Sequence, residues 1–437
     1  MAYSTDTRTL QPGDTYVAIV GETHDGHDFV ADAIEKGAAA VVVERDLGPL
    51  AEGVEVVETE SSVGYLVERA SERVRGLGLP TVAITGSVGK TTARTAVASV
   101  LGQAFRVQSS VGNLNTPLGL ALTLLNADLT PETVLVLEMG ARMPGDIADL
   151  CESFPPTVGV VTTVRGVHLE TLGSLDGVER EKSSIVRALP ASGTAVLNGD
   201  DPRTRRMADV TAGSVLTFGT GADCDVRPEH VTATLPILGD PGLYTALAAT
   251  AVGRAFDMAP DAITRGLEAM EPEPGRLRRL AGVAGSVLVD DTYNASPDAT
   301  KAALDVLAGL DGDRKTAVLG DMLELGETEI EQHADVLRHA LATADRVWAV
   351  DSPQGLMSRA VARLADAERQ RVETFGSSHA AAEAARDGGL ALGAGDAVLV
   401  KGSQGARMER VSEALLSPDL DPADVLTRQT PQWKAIA

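Results

Sequence analysis

The sequence predicts an α/β protein of three domains, and three observations carry that reading. The chain has 437 residues, long enough for about two to four hydrophobic cores. From Pro80 onward, short apolar, β-branched runs alternate with helical stretches. That is the pattern of a parallel sheet covered on both faces. The proline-bearing stretch "EPEPGRLRRL", residues 271–280, then separates this run from a second one. The expected units are a small N-terminal α/β domain (1–79), a central parallel-sheet domain (80–270) and a C-terminal Rossmann-like α/β domain (271–437).

In the first unit, "TYVAIV" and "AAVVVER" read as strands, and "HDFVADAIEKG" as a helix stopped at Gly37. A second helix, "SSVGYLVERASERVRGLG", ends near Pro80. In the central unit, "TVAIT", "TVLVLEM", "TVGVVTTV" and "TAVLNG" read as buried parallel strands, and "GLYTALAATAVGRAF" as the closing helix. The third unit has the strands "SVLVDD", "KTAVLG", "RVWAV" and "DAVLVKG". The end, "SPDLDPADVLTRQTPQWKAIA", reads as a tail packed against the surface.

Hydrophobic residues make up 44% and charged residues 23%, as in globular proteins. No run of 18 apolar residues occurs, so membrane insertion is not expected. The start lacks the basic and apolar regions of a secretory signal. Cys151 and Cys224 are far apart and not in a metal-binding spacing, so a cytoplasmic setting is expected. A net charge of −24 disfavours generic nucleic-acid and acidic-membrane binding, which needs a basic surface. Lysine is scarce, which sharpens interest in Lys90, Lys182 and Lys401.

Residues 82–101 read "VAITGSVGKTTARTAVASVL", a strand, a glycine loop and a helix. The common phosphate loop, G-x-x-x-x-G-K-[ST], needs glycine at 84, where this chain has Ile84. The loop Gly86, Ser87, Gly89, Lys90, Thr91 and Thr92 is nevertheless built to hold a nucleotide. Glycines let backbone amides face phosphate oxygens, and the helix N-terminus adds its dipole. Lys90 can reach the β- and γ-phosphates, and the Thr91 hydroxyl can bind Mg²⁺. The bland alternative is a glycine turn in a strand–helix unit.

Other candidates lie at predicted strand ends. Glu138 closes "LVLEM", where a carboxylate can bind magnesium, or merely cap a helix or pair with a cation. His168 follows the next strand and becomes a metal or phosphate candidate beside Glu138. Lys182, in "GVEREKSSIVRAL", reads by default as a solvated helix lysine. Asp291 can bind ribose hydroxyls or serve as a helix-entry carboxylate. Arg276, after the linker prolines, can reach across to phosphate.

Together these residues resemble the Mur ligase family of cell-wall precursor enzymes. "TGSVGKTT" is similar to that family's short loop, T-G-[ST]-x-G-K-T-[ST]. "TDTRTLQPGDTYVAIVGETHDGHDF", "GNLNTPLGLALTLL", "VHLETLGSLDGVEREK", "DDTYNASPDATKAAL", "VLGDMLELGETEIEQH" and "VLVKGSQGARMERV" resemble further family segments. "GDMLELGE" points to the branch that adds D-alanyl-D-alanine, and G-x-G-G-x-R-D of a sister branch is absent.

The resemblance implies a central ATP-binding domain that uses ATP and Mg²⁺, with UDP-N-acetylmuramoyl-tripeptide and D-alanyl-D-alanine as substrates. ATP would convert the peptide's terminal carboxylate to an acyl phosphate, which the dipeptide amine then attacks. It implies catalytic roles for Lys90, His168, Lys182, Arg276 and Lys401. Metal ligands would be Thr91, Glu138, His168 and Lys182, the last as the lysine the family carbamylates. Asp291 and Asn294 would join the loop and Arg276 in binding nucleotide. Thr7, Arg8, Asn113, Asn115, Thr116 and Ser403 would contact substrate. A monomer with domain closure over the linker is expected.

The chain departs from the family pattern in five places. A leading stretch before "TDTR" is short. Thr116 and Thr163 stand where asparagine is expected, and Ser184 where glutamate is expected. The segment near 226–240 is shortened, and Pro241, Gly242 and Thr245 replace a histidine and two asparagines of the adenine side. Two other readings stay open on these grounds: a related ligase with another amine acceptor, and a non-catalytic precursor-binding protein.

Overall fold

The computed structural model describes residues 2–21, 24–48, 50, 53–112, 114–166 and 169–435. Three sheets succeed one another along the chain. The first is parallel and in sequence order: β1 (Tyr3–Ser4), β2 (Thr15–Val17), β3 (Ala40–Val43) and β4 (Glu55–Glu58). The second contains β5 (Thr81–Thr85), β6 (Arg106–Ser109), β7 (Thr133–Glu138), β8 (Val158–Val161), β9 (Thr194–Asn198) and β10 (Ser214–Phe218). Its order is β10-β9-β8-β5-β7-β6 and every pairing is parallel.

The third sheet contains β11 (Arg278–Ala281), β12 (Val287–Asp291), β13 (Lys315–Gly320), β14 (Arg346–Val350), β15 (Val372–Phe375) and β16 (Ala397–Lys401). Its order is β11-β12-β16-β13-β14-β15. Only the β11–β12 pairing is antiparallel. The proline-bearing linker is thus shorter than the sequence suggests, because Arg278–Ala281 already belongs to the third sheet.

These orders decide where a ligand can sit. In the central sheet β5 lies between β7 and β8, whose connections run to opposite sides. The crevice of an open parallel sheet opens at the C-terminal ends of such strands. It therefore collects the loop after Thr85, the Glu138 end of β7 and the loop after Val161. Both faces of this sheet are covered. Leu120, Leu135, Phe154 and Ile185 lie in the core on one side. Ile84, Val97, Leu247 and Val252 lie in the core on the other.

The helix Ser62–Leu77 couples the first sheet to the second. Its Leu66, Ala70 and Val74 share a core with Val17 and Val42 of the first sheet and Leu120 and Leu124 of the central unit. Arg73 donates to the carbonyls of Leu124 (2.9 Å), Leu125 (2.8 Å) and Ala127 (2.9 Å), which satisfies the C-terminal end of the helix Pro117–Leu125. The short segment before the helix Gly239–Ala255 has one turn, Pro228–His230, and no strand among the described residues. The C-terminal tail packs as expected and goes deeper: Arg428 is buried and paired with buried Glu409 (3.2 Å). Among the described residues no helix is long and apolar enough to cross a membrane.

Candidate active site

The glycine loop is shaped by what lies beneath it. Gly86 has φ 151°, and a Cβ there would stand 1.9 Å from the Thr162 hydroxyl, so no other residue fits. Gly89, at φ 83°, leads into the helix Lys90–Leu101. The loop is stitched to the strand end behind it. The Ser87 amide donates to the Thr163 carbonyl (2.8 Å). The Val88 amide donates to the Thr163 hydroxyl (3.2 Å), and the Arg165 amide donates to Ser87 Oγ (2.8 Å). Thr163, where the resemblance leads one to expect asparagine, therefore holds the phosphate loop in place.

A cavity of about 1300 Å³ opens over this loop, between the central and C-terminal sheets. Ser87, Gly89, Lys90, Thr91 and Thr92 line one wall, with Glu138 and Lys182 behind them. Lys90 Nζ donates to the Gly86 carbonyl (2.8 Å). Loss of hydration lowers the Lys90 pKa; Arg276 adds to the shift, and Glu138 opposes it. Lys182 is 4% exposed and has no side-chain partner among the described residues. Burial brings its pKa down to about 7; the charge of Lys90 helps and Glu181 opposes. The expectation of a solvated Lys182 is corrected, because its helix turns this face into the sheet. Glu181 does different work: it accepts the amides of Gly145 (2.7 Å) and Ile147 (2.8 Å) at the start of the helix Asp146–Ser153.

Glu138 is 2% exposed. Its Oε1 accepts from Asn115 Nδ2 (2.9 Å), while Oε2 is buried with no partner. Such an oxygen suits a cation, since an unpaired buried carboxylate oxygen is costly. Thr116 lines the cavity, but its hydroxyl caps the helix Pro117–Leu125 by accepting the Gly119 amide (3.3 Å). Among the described residues no three histidine, cysteine, aspartate or glutamate side chains converge to hold a metal. His168 and Asn113 lie outside the described residues.

The opposite wall comes from the third sheet. Asp291 ends β12 and stands in register with Lys401, which ends β16. Lys401 Nζ pairs with Asp291 Oδ2 (2.6 Å) and donates to the Asn294 carbonyl (2.9 Å). The Asn294 side chain accepts the Ala295 amide (2.9 Å). Ser403 Oγ accepts the Leu323 amide (2.9 Å) and donates to the Ala295 carbonyl (3.3 Å). Between the walls, Arg276 Nη2 donates to the Thr91 hydroxyl (3.3 Å), and its guanidinium lies over the Tyr293 ring at 3.9 Å.

Sequence reasoning missed three contributors. Glu273, counted only as linker, pairs with Arg94 and accepts from the Thr95 hydroxyl (3.0 Å), fixing the linker to the phosphate-loop helix. Tyr293 carries Arg276 on one side, and Arg428 lies 5.3 Å from its ring. Trp433 of the tail also reaches the cavity wall. Conversely, Thr7 and Arg8 are not brought to this cavity. The Thr7 carbonyl accepts from Lys36 (3.0 Å), and Arg8 forks onto Asp6 within its own loop (2.8 and 2.6 Å).

Comparison with known proteins agrees with this arrangement. Residues 2–78 match the model of the Mur ligase family catalytic domain. Residues 84–253 match the Mur ligase middle domain, and 275–404 the Mur ligase glutamate ligase domain. The chain is 31% identical to the UDP-N-acetylmuramoyl-tripeptide–D-alanyl-D-alanine ligase of Bacillus subtilis, over 95% of this chain and 93% of the relative. It superposes on a crystal structure of MurF from Acinetobacter baumannii with a TM-score of 0.83, at 27% identity, over 94% and 92% of the two chains. A MurF ligase from Thermotoga maritima in complex with ADP gives 0.79 at 28% identity, over 94% and 96%. With all three family domains present in order and a full-length relative above 30% identity, the chain belongs to the Mur ligase family.

Proposed function

We propose that this protein is an ATP-dependent ligase that joins D-alanyl-D-alanine to UDP-N-acetylmuramoyl-tripeptide through an acyl phosphate. The observation that carries the reading is the single cavity walled by Lys90, Thr91, Glu138 and Lys182 on one side and Asp291 and Lys401 on the other. Two domains of one chain supply both walls, which supports a monomer as the working unit. An ATP-consuming step, with both cysteines free and buried, supports a cytoplasmic setting.

In the first step the tripeptide carboxylate attacks the γ-phosphorus of ATP, and the bond to ADP breaks. The loop amides and Lys90 hold the phosphates, and Arg276 adds charge beside Thr91. Most of the rate gain then comes from positioning and charge neutralisation. In the second step the dipeptide amine attacks the acyl carbonyl, phosphate leaves, and the amine's proton passes to solvent. Lys401 stabilises the acyl phosphate once it exchanges Asp291 for the new anion, leaving Asp291 to accept from the ribose hydroxyls.

Magnesium fits the residues present: the unpartnered Glu138 oxygen and the Thr91 hydroxyl would hold it, and its charge would neutralise phosphate oxygens. Lys182 suits carbamylation. With a pKa near 7 much of it is free amine, which adds to CO₂ and releases one proton, changing a neutral buried amine to an anion. The net charge of −24 does not oppose anionic substrates at the site, because local cations set the field there.

The test is ADP and phosphate release from ATP, Mg²⁺ and UDP-N-acetylmuramoyl-tripeptide, with and without D-alanyl-D-alanine. Release that depends on the dipeptide is expected. Release that another amine supports equally well would assign a different acceptor, and bound precursor with no release would assign a binding protein.

A further inference from the structure

We propose that Arg407 binds the terminal carboxylate of the D-alanyl-D-alanine acceptor, at a subsite built with Glu409, Arg428 and Trp433; the inference rests on the ligase reading above. Gln404, Gly405, Arg407 and Trp433 continue the lining of the C-terminal wall beyond Ser403.

This part of the wall is a buried cluster with more cation than anion. Glu409 is buried and faces two arginines: Oε1 accepts from Arg407 Nε (2.6 Å), and Oε2 accepts from Arg428 Nη1 (3.2 Å). One carboxylate between two guanidiniums leaves the trio with a net positive charge. A buried excess of charge favours a counter-ion. Arg428 is turned into the fold, where it donates to the carbonyls of Thr292 (3.0 Å) and Tyr293. Of the three, Arg407 is the one that lines the cavity.

Arg407 is held in place from several sides. Its Nη2 donates to the Trp433 carbonyl (2.8 Å), and its guanidinium lies 5.4 Å from the centre of the Trp433 ring. Its planar fork of five donors can serve Glu409, the tail and a ligand carboxylate together. Arg407 and Arg428 both have left-handed backbones, with φ 55° and 59°. Residues other than glycine keep that conformation where their surroundings fix it, and such positions gather at ligand clamps.

The reaction decides which anion comes here. The nucleotide phosphates lie over the glycine loop and Lys90, on the opposite wall. The acyl phosphate forms beside Lys401. The dipeptide must bring its amine to that point, and it carries its carboxylate at the other end. An extended dipeptide spans about 7 Å. Lys401 and Arg428 are anchored to the carbonyls of adjacent residues, Asn294 and Tyr293, whose Cα atoms are about 4 Å apart. The cluster therefore stands within a dipeptide's reach of the lysine. The distance suits an acceptor with its amine at Lys401 and its carboxylate at Arg407.

Turnover of the full chain with D-alanyl-D-alanine and with D-alanyl-D-alaninamide tests this, at saturating ATP, Mg²⁺ and precursor. The amide keeps the amine and both methyl groups and lacks only the charge. The wild type is expected to prefer the acid by about ten- to a hundredfold in kcat/KM, the worth of a charge-assisted hydrogen bond, with the difference in KM. Equal use of the two acceptors would overturn the proposal without any variant. Arg407→Met leaves Glu409 paired with Arg428, so no buried carboxylate is stranded. It is expected to raise KM for the acid by about tenfold or more, to leave KM for the amide within about threefold, and so to erase the preference. Arg407→Lys should restore part of it. A folded Arg407→Met that keeps the full preference would overturn the role of Arg407. Absence of turnover by the wild type with either acceptor would overturn the ligase reading and the subsite with it, whereas equal turnover of both would overturn the subsite alone.

Discussion

The two walls of the cavity are both rich in buried charge, yet they are finished differently. On the central wall Lys182 has no side-chain partner among the described residues, Glu138 Oε2 has none, and Lys90 has only a backbone carbonyl. On the C-terminal wall Lys401 and Asp291 neutralise each other, and Ser403 both donates and accepts. Buried charge without a partner is costly, so the first wall carries strain that a ligand's charges relieve. The second wall is already satisfied and must exchange partners when ligand arrives. Under the proposed function, the difference gives initial nucleotide capture to the central wall and a switch in pairing to the C-terminal wall.

The strongest way to break this contrast is Lys90→Met. If Lys90 is held for phosphate and not for folding, turnover falls by about 10³-fold or more. The unfolding midpoint then stays level or rises, since a poorly compensated buried ammonium is removed. ADP release and thermal unfolding of the same preparation check both halves, and a large loss of stability would break the contrast.

Lys401→Met probes the other wall and should behave in the opposite way. It strands the buried Asp291 carboxylate, at a cost of about 3–5 kcal/mol of stability. The double variant Lys401→Met/Asp291→Asn should recover most of that cost while turnover stays low. Denaturant unfolding of the two single variants and the double variant measures the coupling. Absence of coupling would show that the pair does not hold the wall together.

How much of this was legible in the sequence follows the same physics. Each of the ten interior strands was readable, from "TYVAIV" to "DAVLVKG", because burial on both faces demands unbroken apolar runs. The six strands that escaped notice, β1, β4, β6, β10, β11 and β15, are the six sheet edges. Glu55–Glu58 shows why: an edge strand may leave three of its four residues exposed, and then nothing marks it as a strand. In the site, Lys90 and Glu138 were legible because loop spacing and a strand end announced them. The Arg94–Glu273 pair spans 179 positions, and local pattern cannot find such a partner. Arg428 beneath Tyr293 is hidden for the same reason, with 135 positions between them.

The smallest expected effect concerns a carboxylate just behind the C-terminal wall. Asp290 precedes Asp291 on β12, is fully buried, and is held by hydroxyls instead of a cation: Oδ1 accepts from Ser412 (2.7 Å) and Thr292 (2.8 Å), while Oδ2 has no partner. Burial pushes its pKa up to about 6, against hydrogen bonds that lower it. Below the unfolded value of 3.8 both states are protonated and the group contributes nothing. Between that value and about 6 the folded state holds the extra proton, so stability falls as pH rises; above 6 the full penalty, about 3 kcal/mol, is present. Asp290→Asn removes the charge and should stabilise the C-terminal domain by up to about 3 kcal/mol at pH 8, with the gain vanishing near pH 4. Urea unfolding at the two pH values checks the sign. A gain of equal size at both would mean that packing, not charge, separates the variant from the wild type, and that the C-terminal wall carries no uncompensated carboxylate behind its paired face.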